Sequence, residues 1–296
     1  MLQRKTKIYF LFISFLLLFI SSDAQVVSGK GWNFAVNMGY YFPDKYNANF
    51  YNGSGRNSID NVINQNSVSY NPDDVYYNNN YQTLKEDVFG GYDFEVAELP
   101  QNMRYNNVMS YGFNIRYFLS EYISLFGDFN VSKLKTVDVF TIDVLKNRSI
   151  SYINLDNIYQ ATIAGEEDRM NFNIGLQMLL GNERVRPFIE GGINLNNVKV
   201  KKNQIDIGGY VFDIFNPEDK YYNIQQGGIG TGIFAGGGLK LFFANSYSID
   251  FGMNFFMSQF KLLEPYKYQS EKIIFLRLGI DLKRKKAEET PEETVE

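Results

Sequence analysis

Seven charged side chains stand at alternate positions within otherwise apolar stretches, and they are the first candidates for chemistry in this sequence. Four are acids and three are bases. Such a set could supply paired carboxylates for hydrolysis, a path for protons or ions, or a group of mutually paired charges that only fills space. The seven are Arg116, Asp128, Glu190, Lys240, Asp250, Arg277 and Asp281.

The composition removes most kinds of catalytic site. The 296 residues include no cysteine and no histidine, which excludes disulfides, thiolate nucleophiles, His/Cys zinc sites and every imidazole base. A hydrolase that uses the carboxylates of Asp128 and Glu190 is the enzyme class that remains. We expect no enzymatic activity and no cofactor, because the other acids lie in the same interior or are scattered over loops. The formal net charge of -4 offers no basic face for nucleic acid.

The elements that must position the seven charges are predicted from period-two alternation. Eight stretches alternate in this way, and each covers about ten residues, the length that a tilted strand needs to cross a bilayer. Turns of a few residues at 119–122, 181–184 and 244–246 join them in pairs. The apolar positions of the eight stretches begin at Trp32, Met109, Ile123, Met170, Ile189, Ile233, Tyr247 and Ile274.

The two faces of these strands differ in composition. One face is built from Phe, Tyr, Ile, Leu, Met and Val without any acid or base, whereas the other carries Gly, Asn and the seven charges. Glycine and asparagine are poor choices for a water-facing strand, but they fit the narrow lumen of a small barrel. The bulky uncharged face then requires lipid around it. The sequence predicts an all-β fold, an eight-stranded antiparallel up-and-down transmembrane β-barrel, over the alternative of a soluble lipocalin-type barrel with its apolar face inside.

Aromatic residues at both ends of the uncharged face indicate two membrane interfaces. The first belt, next to the short turns, consists of Trp32, Tyr117, Phe243 and Tyr247. The second belt, toward the long connections, consists of Tyr40, Phe129, Phe172 and Phe255.

The chain divides into three parts. Residues 1–24 have the basic start, apolar middle and small-residue cleavage site of a secretory signal peptide, and no later window is apolar enough for a membrane helix. Residues 25–282 form the predicted barrel, with long surface loops at about 43–102, 132–169 and 196–230. Residues 283–296 form a charged tail. An even number of strands places both chain ends on the short-turn side, which is periplasmic in such barrels.

The long connections are the remaining candidates for function. The first is rich in Tyr and Asn, which suit an adaptable recognition surface, although a mobile solvated loop has the same composition. Asp73 and Asp74 are weak calcium candidates, since no EF-hand spacing surrounds them. The stretches "TVDVFTIDV" and "VKVKKNQIDI" alternate like strands and could be hairpins that extend the barrel wall. The basic run at 283–286 could hold phospholipid headgroups.

Several stretches resemble a known family. A leader ending in Ala-Gln, the first strand "GWNFAVNMGYYF", the hairpin "YGFNIRYFLSEYISLFGDFNV" and "RPFIEGGINLN" are similar to the PorT-like outer-membrane β-barrel proteins of Bacteroidota, with the small-barrel architecture of the OmpA and OmpX type. The resemblance covers the strands and not the loops. It implies an integral outer-membrane protein of a Gram-negative bacterium, in some members attached to protein export or envelope assembly.

The sequence therefore favours a non-enzymatic outer-membrane protein that acts through its loops or its charged tail. We expect outer-membrane lipid around it and a protein partner in the cell envelope. The alternative is a narrow channel for a solute or an ion, in which the seven inward charges would line the path.

Overall fold

The computed structural model describes residues 31–64, 66–71, 74–146, 157–214, 226–243 and 246–282, except the side chains of Arg56, 66–71 and 74–79. The predicted signal peptide and the charged tail with its basic run lie outside these residues, and so do Asp73 and the side chain of Asp74. Within them, no helix is both long and apolar enough to cross a membrane.

Period-two alternation produces long antiparallel strands in the described residues. The strands are β1 (Gly31–Phe42), β2 (Asn66–Asn71), β3 (Asp74–Asn79), β4 (Phe94–Glu98), β5 (Val108–Phe118), β6 (Ile123–Val144), β7 (Ile158–Leu179), β8 (Val185–Ile207), β9 (Tyr210–Asp213), β10 (Gly227–Phe243), β11 (Tyr247–Gln259) and β12 (Tyr268–Leu282).

Eight of these strands close into a barrel. Around the ring the order is β1, β5, β6, β7, β8, β10, β11 and β12, and β12 pairs with β1 to complete it. All neighbours are antiparallel, and every neighbouring pair except the closing one follows chain order along the ring. The predicted eight-stranded up-and-down barrel is confirmed, and each of the eight alternating stretches lies in one of its strands.

The barrel has its polar residues inside and its apolar residues outside. In β1, the side chain of Val36 is 63% exposed, whereas Asn33 is 1% exposed and Asn37 is 7% exposed. The same alternation continues around the ring, where large apolar side chains cover the outer surface of every barrel strand. Closing eight strands leaves an interior that side chains fill completely, so small and polar residues take the inward positions.

The two ends of the barrel differ. At one end β5 and β6, β7 and β8, and β10 and β11 are joined by short turns, and we call this the short-turn end. The opposite end, which we call the long-loop end, carries the long connections. There β6, β7 and β8 continue well beyond the other strands and reach 22, 22 and 23 residues.

The predicted limits of the second and third long loops are therefore wrong. Most of 132–169 belongs to β6 and β7, and 196–207 belongs to β8. The two alternating stretches do extend the barrel wall: "TVDVFTIDV" lies in β6, which pairs with β7, and "VKVKKNQIDI" lies in β8, which forms a hairpin with β9. The ladder continues although the polarity of the two faces inverts. Lys133 and Lys135 now face outward, while Leu134, Phe140 and Ile142 face inward and are buried.

Residues 43–107 fold over this extended wall. They contain 3-10 helices at Tyr46–Tyr51 and Gly55–Asn57, a short α-helix at Ile59–Ile63, a helical turn at Asn80–Thr83 followed by a π-helical turn at Leu84–Val88, the hairpin of β2 and β3, and β4, which pairs with β6. We call the band of outward apolar side chains around the eight strands the apolar belt. The cap consists of residues 43–107, β9, and the ends of β6, β7 and β8 that extend beyond the apolar belt.

The cap has an apolar core of its own. Residues from 43–107 pack against inward residues of the extended strands, and the members of this cluster are buried. From the first long connection they include Ala48, Tyr51, Ile59, Val62, Ile63, Leu84, Phe89, Phe94 and Met103, and from the strands Leu134, Phe140, Ile142, Ile163, Ile205 and Ile207. The molecule thus has a polar interior inside its apolar belt and an apolar interior above it.

Candidate functional site: the closed lumen and its cap

The structure brings the seven predicted charges into the barrel interior. Six of them are almost fully buried, and Asp281 is half-buried near the short-turn end, where it accepts a hydrogen bond from Asn33 at 2.6 Å. They reach one interior because each occupies an inward position of a different barrel strand, apart from Arg277 and Asp281, which share β12. Their partners decide what they can do.

Glu190 and Arg277 form a two-pronged ion pair across the lumen. The Arg277 nitrogens donate to the two carboxylate oxygens of Glu190 at 2.7 and 2.8 Å. Asn254 and Gln177 donate to the same oxygens at 2.7 and 3.1 Å. The guanidinium also stacks on the ring of Phe275, with its central carbon 3.9 Å from the ring centroid. The two charges pair with each other in place, and pairing is the condition for tolerating them in a dry interior.

A second group lies around Asp250. Its carboxylate accepts from Lys240 at 2.8 Å and from Arg116 at 3.1 Å, and all three side chains are buried. Arg116 also lies over the ring of Phe126, with the centroid 5.7 Å from its guanidinium carbon. Arg116 lies in the first hairpin with Asp128, but it finds its counter-charge across the lumen, on β11.

Asp128 is held by amides instead. Asn130, Asn173 and Asn114 donate to its carboxylate at 2.6, 3.2 and 3.5 Å, and Asn37 makes a further short contact. None of the ion pairs found among the described residues includes Asp128. Neutral amides here replace the hydration shell of a buried charge, and this gives the inward asparagines a specific role.

A third charged group was missed by the sequence analysis. Arg169 donates through Nε to Glu167 at 2.6 Å and bridges Glu271 on the other side, and Tyr41 donates to Glu271 as well. All four side chains are buried. This group lies where the polar lumen meets the cap.

Alternation could not reveal Glu167 and Arg169. Their outward neighbours Glu166 and Asp168 are charged too, so the stretch "GEEDRM" shows no difference between its two faces. Only the continued pairing of β7 with β6 and β8 establishes which of these residues point inward.

Two tyrosines fasten the cap to this third group. The hydroxyls of Tyr51 and Tyr105 donate to the same Glu167 oxygen at 2.7 and 2.9 Å. Burial, followed by the nearby Glu167 carboxylate, raises the pKa of both hydroxyls well above the usual value for tyrosine. Both residues therefore stay protonated at physiological pH and act as donors.

Aromatic rings and glycines fill the remaining lumen. Phe126, Phe188, Phe234 and Phe275 point inward and are buried, although the sequence analysis assigned bulky residues to the outer face. They fit because glycines lie opposite them. At Gly252, for example, an added Cβ would lie 2.7 Å from the ring of Phe275 and 3.1 Å from that of Phe188.

Arg186, also missed from sequence, lies at the short-turn end. It donates to the backbone carbonyls of Glu183, Glu121 and Asn182 at 3.0, 3.3 and 3.4 Å, and it packs against the ring of Phe242. With Arg186, the fully buried charges of the described residues are five acids and five bases. The interior is close to neutral, so it has no strong preference for a cation or an anion.

The eight residues of the two predicted aromatic belts lie on the outward face of the barrel. Trp32 and Tyr247 near the short-turn end are exposed, as are Tyr40, Phe172 and Phe255 toward the long-loop end, whereas Tyr117, Phe129 and Phe243 are half-buried by their neighbours. Trp32 and Tyr117 pack against each other with ring centroids 4.9 Å apart.

The described residues contain no group of three or more acidic side chains placed to hold a metal ion. A cleft of about 340 Å³ lies on the cap, between its turn at 88–92 and the ends of β6 and β7. It is lined by Val88, Phe89, Gly90, Tyr92, Val144, Lys146, Asn157, Ile158 and Tyr159.

Solved structures with a similar course of the chain are small outer-membrane barrels. The N-terminal barrel domain of Pseudomonas aeruginosa OprF is 12% identical over 86% of this chain and 100% of that one, with a TM-score of 0.34. Neisserial surface protein A is 8% identical over 86% and 100%, with a TM-score of 0.38. Pseudomonas aeruginosa OprG is 9% identical over 88% and 100%, with a TM-score of 0.39.

No family model matches the chain, and no curated protein matches it in sequence. The barrel is established by its own strand pairing and not by these distant likenesses. The resemblance to PorT-like proteins of Bacteroidota stays a prediction.

Proposed function

We propose that the protein is an integral outer-membrane protein of a Gram-negative bacterium, with its short turns and both chain ends in the periplasm and its cap outside the cell. The outward belt supports this, because its wide uncharged apolar surface would be insoluble in water and is what a bilayer requires. The inverted polarity above the belt also supports this orientation, since a cap with an apolar core and a charged outer face is suited to an aqueous environment.

We further propose that the protein does not conduct and has no enzymatic activity, and that it acts as a surface-binding or accessory component of an envelope complex. The observation that carries this is the filled lumen, in which buried charges are paired or held by amides and phenylalanine rings occupy the remaining space. A folded cap closes the barrel above the lumen, and its cleft offers a place for contact with a partner. The resemblance to PorT-like proteins supports a role in export or envelope assembly.

Single-channel recording in planar bilayers tests the closed lumen. We expect no stable conductance from the purified full chain, because the Glu190 and Arg277 pair spans the interior. The double variant Glu190→Gln, Arg277→Gln is the matched comparison, since it removes both charges and keeps a polar side chain at each position. A steady conductance of the unaltered protein would overturn the accessory role and favour the narrow channel.

Purification of tagged protein from its native membrane in mild detergent tests the accessory role. We expect a defined envelope protein to copurify in a fixed ratio. The loss of that protein from a variant with an altered cap surface, such as Lys146→Glu beside the cleft, would place the contact there. Recovery of the barrel alone would contradict the accessory role.

A further inference from the structure

The outer face of β6, β7 and β8 is organised in seven aligned rows. Strand register places the outward residues of the three strands side by side. From the short-turn end the first five rows are Ile123/Met178/Ile189, Leu125/Leu176/Gly191, Gly127/Ile174/Ile193, Phe129/Phe172/Leu195 and Val131/Met170/Asn197. None of these residues is charged, and they form one side of the apolar belt.

The next two rows consist entirely of charged residues. They are Lys133/Asp168/Lys199 and Lys135/Glu166/Lys202. A shift of register between Glu166 and Glu167 leaves Lys201 without a partner residue in the β7–β8 ladder, next to Lys202. Both lysines are exposed. We call Lys133, Lys135, Lys199, Lys201 and Lys202 the lysine array.

The array keeps an excess of positive charge after its internal ion pairs are formed. Lys133 and Lys135 both bridge Glu166, and Lys201 lies 3.3 Å from Asp168. Five lysines against these two acids leave three positive charges. Lys199 and Lys202 form no ion pair with any described residue.

This block of charge occurs on one side of the barrel only. The outward positions of β1, β5, β10, β11 and β12 together contain a single charged residue, Lys272. Other exposed lysines at the long-loop end, Lys45, Lys261 and Lys267, lie in connections and not in aligned strand rows. The array therefore distinguishes the β6, β7 and β8 side of the barrel from the other sides.

Its height fits the polar region of a membrane. Lys133 follows the belt residue Phe129 by four positions, which is about 14 Å along the strand. Below it the surface is uncharged and almost entirely apolar through the first five rows. An occupant that uses both parts of this surface must carry an anionic head above apolar chains.

We propose that the lysine array binds the phosphorylated headgroup of an outer-leaflet lipid, whose acyl chains lie along the uncharged rows of β6, β7 and β8. This rests on the proposed orientation, in which the cap is extracellular. Phosphate oxygens accept hydrogen bonds from several lysines at once, and the two acids of β7 hold Lys133, Lys135 and Lys201 in place for them.

The test is titration of the purified full chain with a diphosphorylated lipid A, followed by native mass spectrometry. One variant carries Lys133→Gln, Lys199→Gln and Lys202→Gln. The matched control carries Lys45→Gln, Lys267→Gln and Lys272→Gln, which removes three exposed lysines near β1 and β12, on the other side of the long-loop end. A lysine near an anionic surface contributes about fivefold in affinity, so we expect about a hundredfold weaker binding for the first variant and little change for the control.

Two further probes identify the source of the phosphate. We expect the same lipid without its phosphates to bind weakly to all three proteins, and the water-soluble headgroup sugar phosphate not to compete. Equal loss in both variants, equal binding of the dephosphorylated lipid, or full competition by the sugar phosphate would overturn the proposal.

Failure of this proposal can be told apart from failure of the proposed function. The array variant is expected to insert into vesicles and to keep the mobility shift on heating that folded barrels show, because its substitutions lie above the belt. An unaltered protein that does not insert into vesicles would refute the membrane assignment itself and the lipid proposal with it.

Discussion

At the scale of single residues, the interior is ordered by the need to give each buried charge an opposite charge or hydrogen-bonding groups. Arg277 has a carboxylate and an aromatic ring within reach, and Asp128 has amides from four asparagines. The sequence showed that such residues point inward, since their apolar neighbours point outward. It could not show which charge meets which, because partners come from strands on opposite sides of the ring.

The cost of an unpaired charge gives a first prediction. Arg277→Gln leaves the buried Glu190 with amide donors alone, and we expect a loss of about 3–5 kcal/mol in the free energy of unfolding. Urea unfolding in lipid vesicles measures it. The double variant Glu190→Gln, Arg277→Gln should recover much of the loss, and a single variant as stable as the unaltered protein would show that the pair is not buried.

The tyrosine hydroxyls that hold the cap predict a dependence on pH. The pKa of Tyr51 and of Tyr105 is raised in the folded protein, so their contribution to stability is fully present below the pKa of an unfolded tyrosine, about 10. It is lost as the pH rises through the folded pKa. We expect cleavage within residues 43–107 by an alkaline-stable protease to be slow from neutral pH to about 9 and to accelerate above about 10.

The double variant Tyr51→Phe, Tyr105→Phe is the control for that pH profile. It cannot ionise at these positions, and its two lost hydrogen bonds should make cleavage faster already at neutral pH. Its rate should then rise less steeply above about pH 10. An identical pH profile for both proteins would show that these hydroxyls do not hold the cap.

At the scale of elements, alternation predicted the eight barrel strands but not where three of them end. It identified β6, β7 and β8 inside the belt, where one face is apolar and the other polar. Beyond the belt the apolar face changes sides, as at Leu134 and Phe140, and in "GEEDRM" both faces are charged. The strand pattern is interrupted in sequence although the hydrogen-bonded ladder continues.

The contact of the cap with β7 can be tested at one glycine. The ring of Tyr51 lies against Gly165, and an added Cβ there would be 2.2 Å from it. We expect Gly165→Ala to destabilise the cap by about 1–3 kcal/mol through overpacking, measured as faster hydrogen exchange in residues 46–63.

Gly127→Ala is the matched control for that substitution, because this glycine faces outward from β6 into open space. Its exchange in residues 46–63 should equal that of the unaltered protein. Equal rates for Gly165→Ala and Gly127→Ala would mean that Tyr51 does not pack on the barrel wall.

At the scale of the whole molecule, the central claim is that the large apolar side chains face lipid and the charges face one another. The sequence predicted this arrangement from residue types alone, since glycine and asparagine fit a narrow interior. It did not predict that a long acidic connection folds into a cap with an apolar core. The residues of that core are separated by polar and glycine-rich stretches, and they come together only above the extended strands.

The single tryptophan of the chain, Trp32, allows the most direct measurement of this claim. Its side chain is 51% exposed on the outward face, at the belt nearest the short-turn end. In vesicles of lipids brominated at defined depths, we predict strong quenching of its fluorescence by bromines close to the headgroups, weaker quenching by those at the chain ends, and little by aqueous iodide. Full quenching by iodide with none by the brominated lipids would contradict the account.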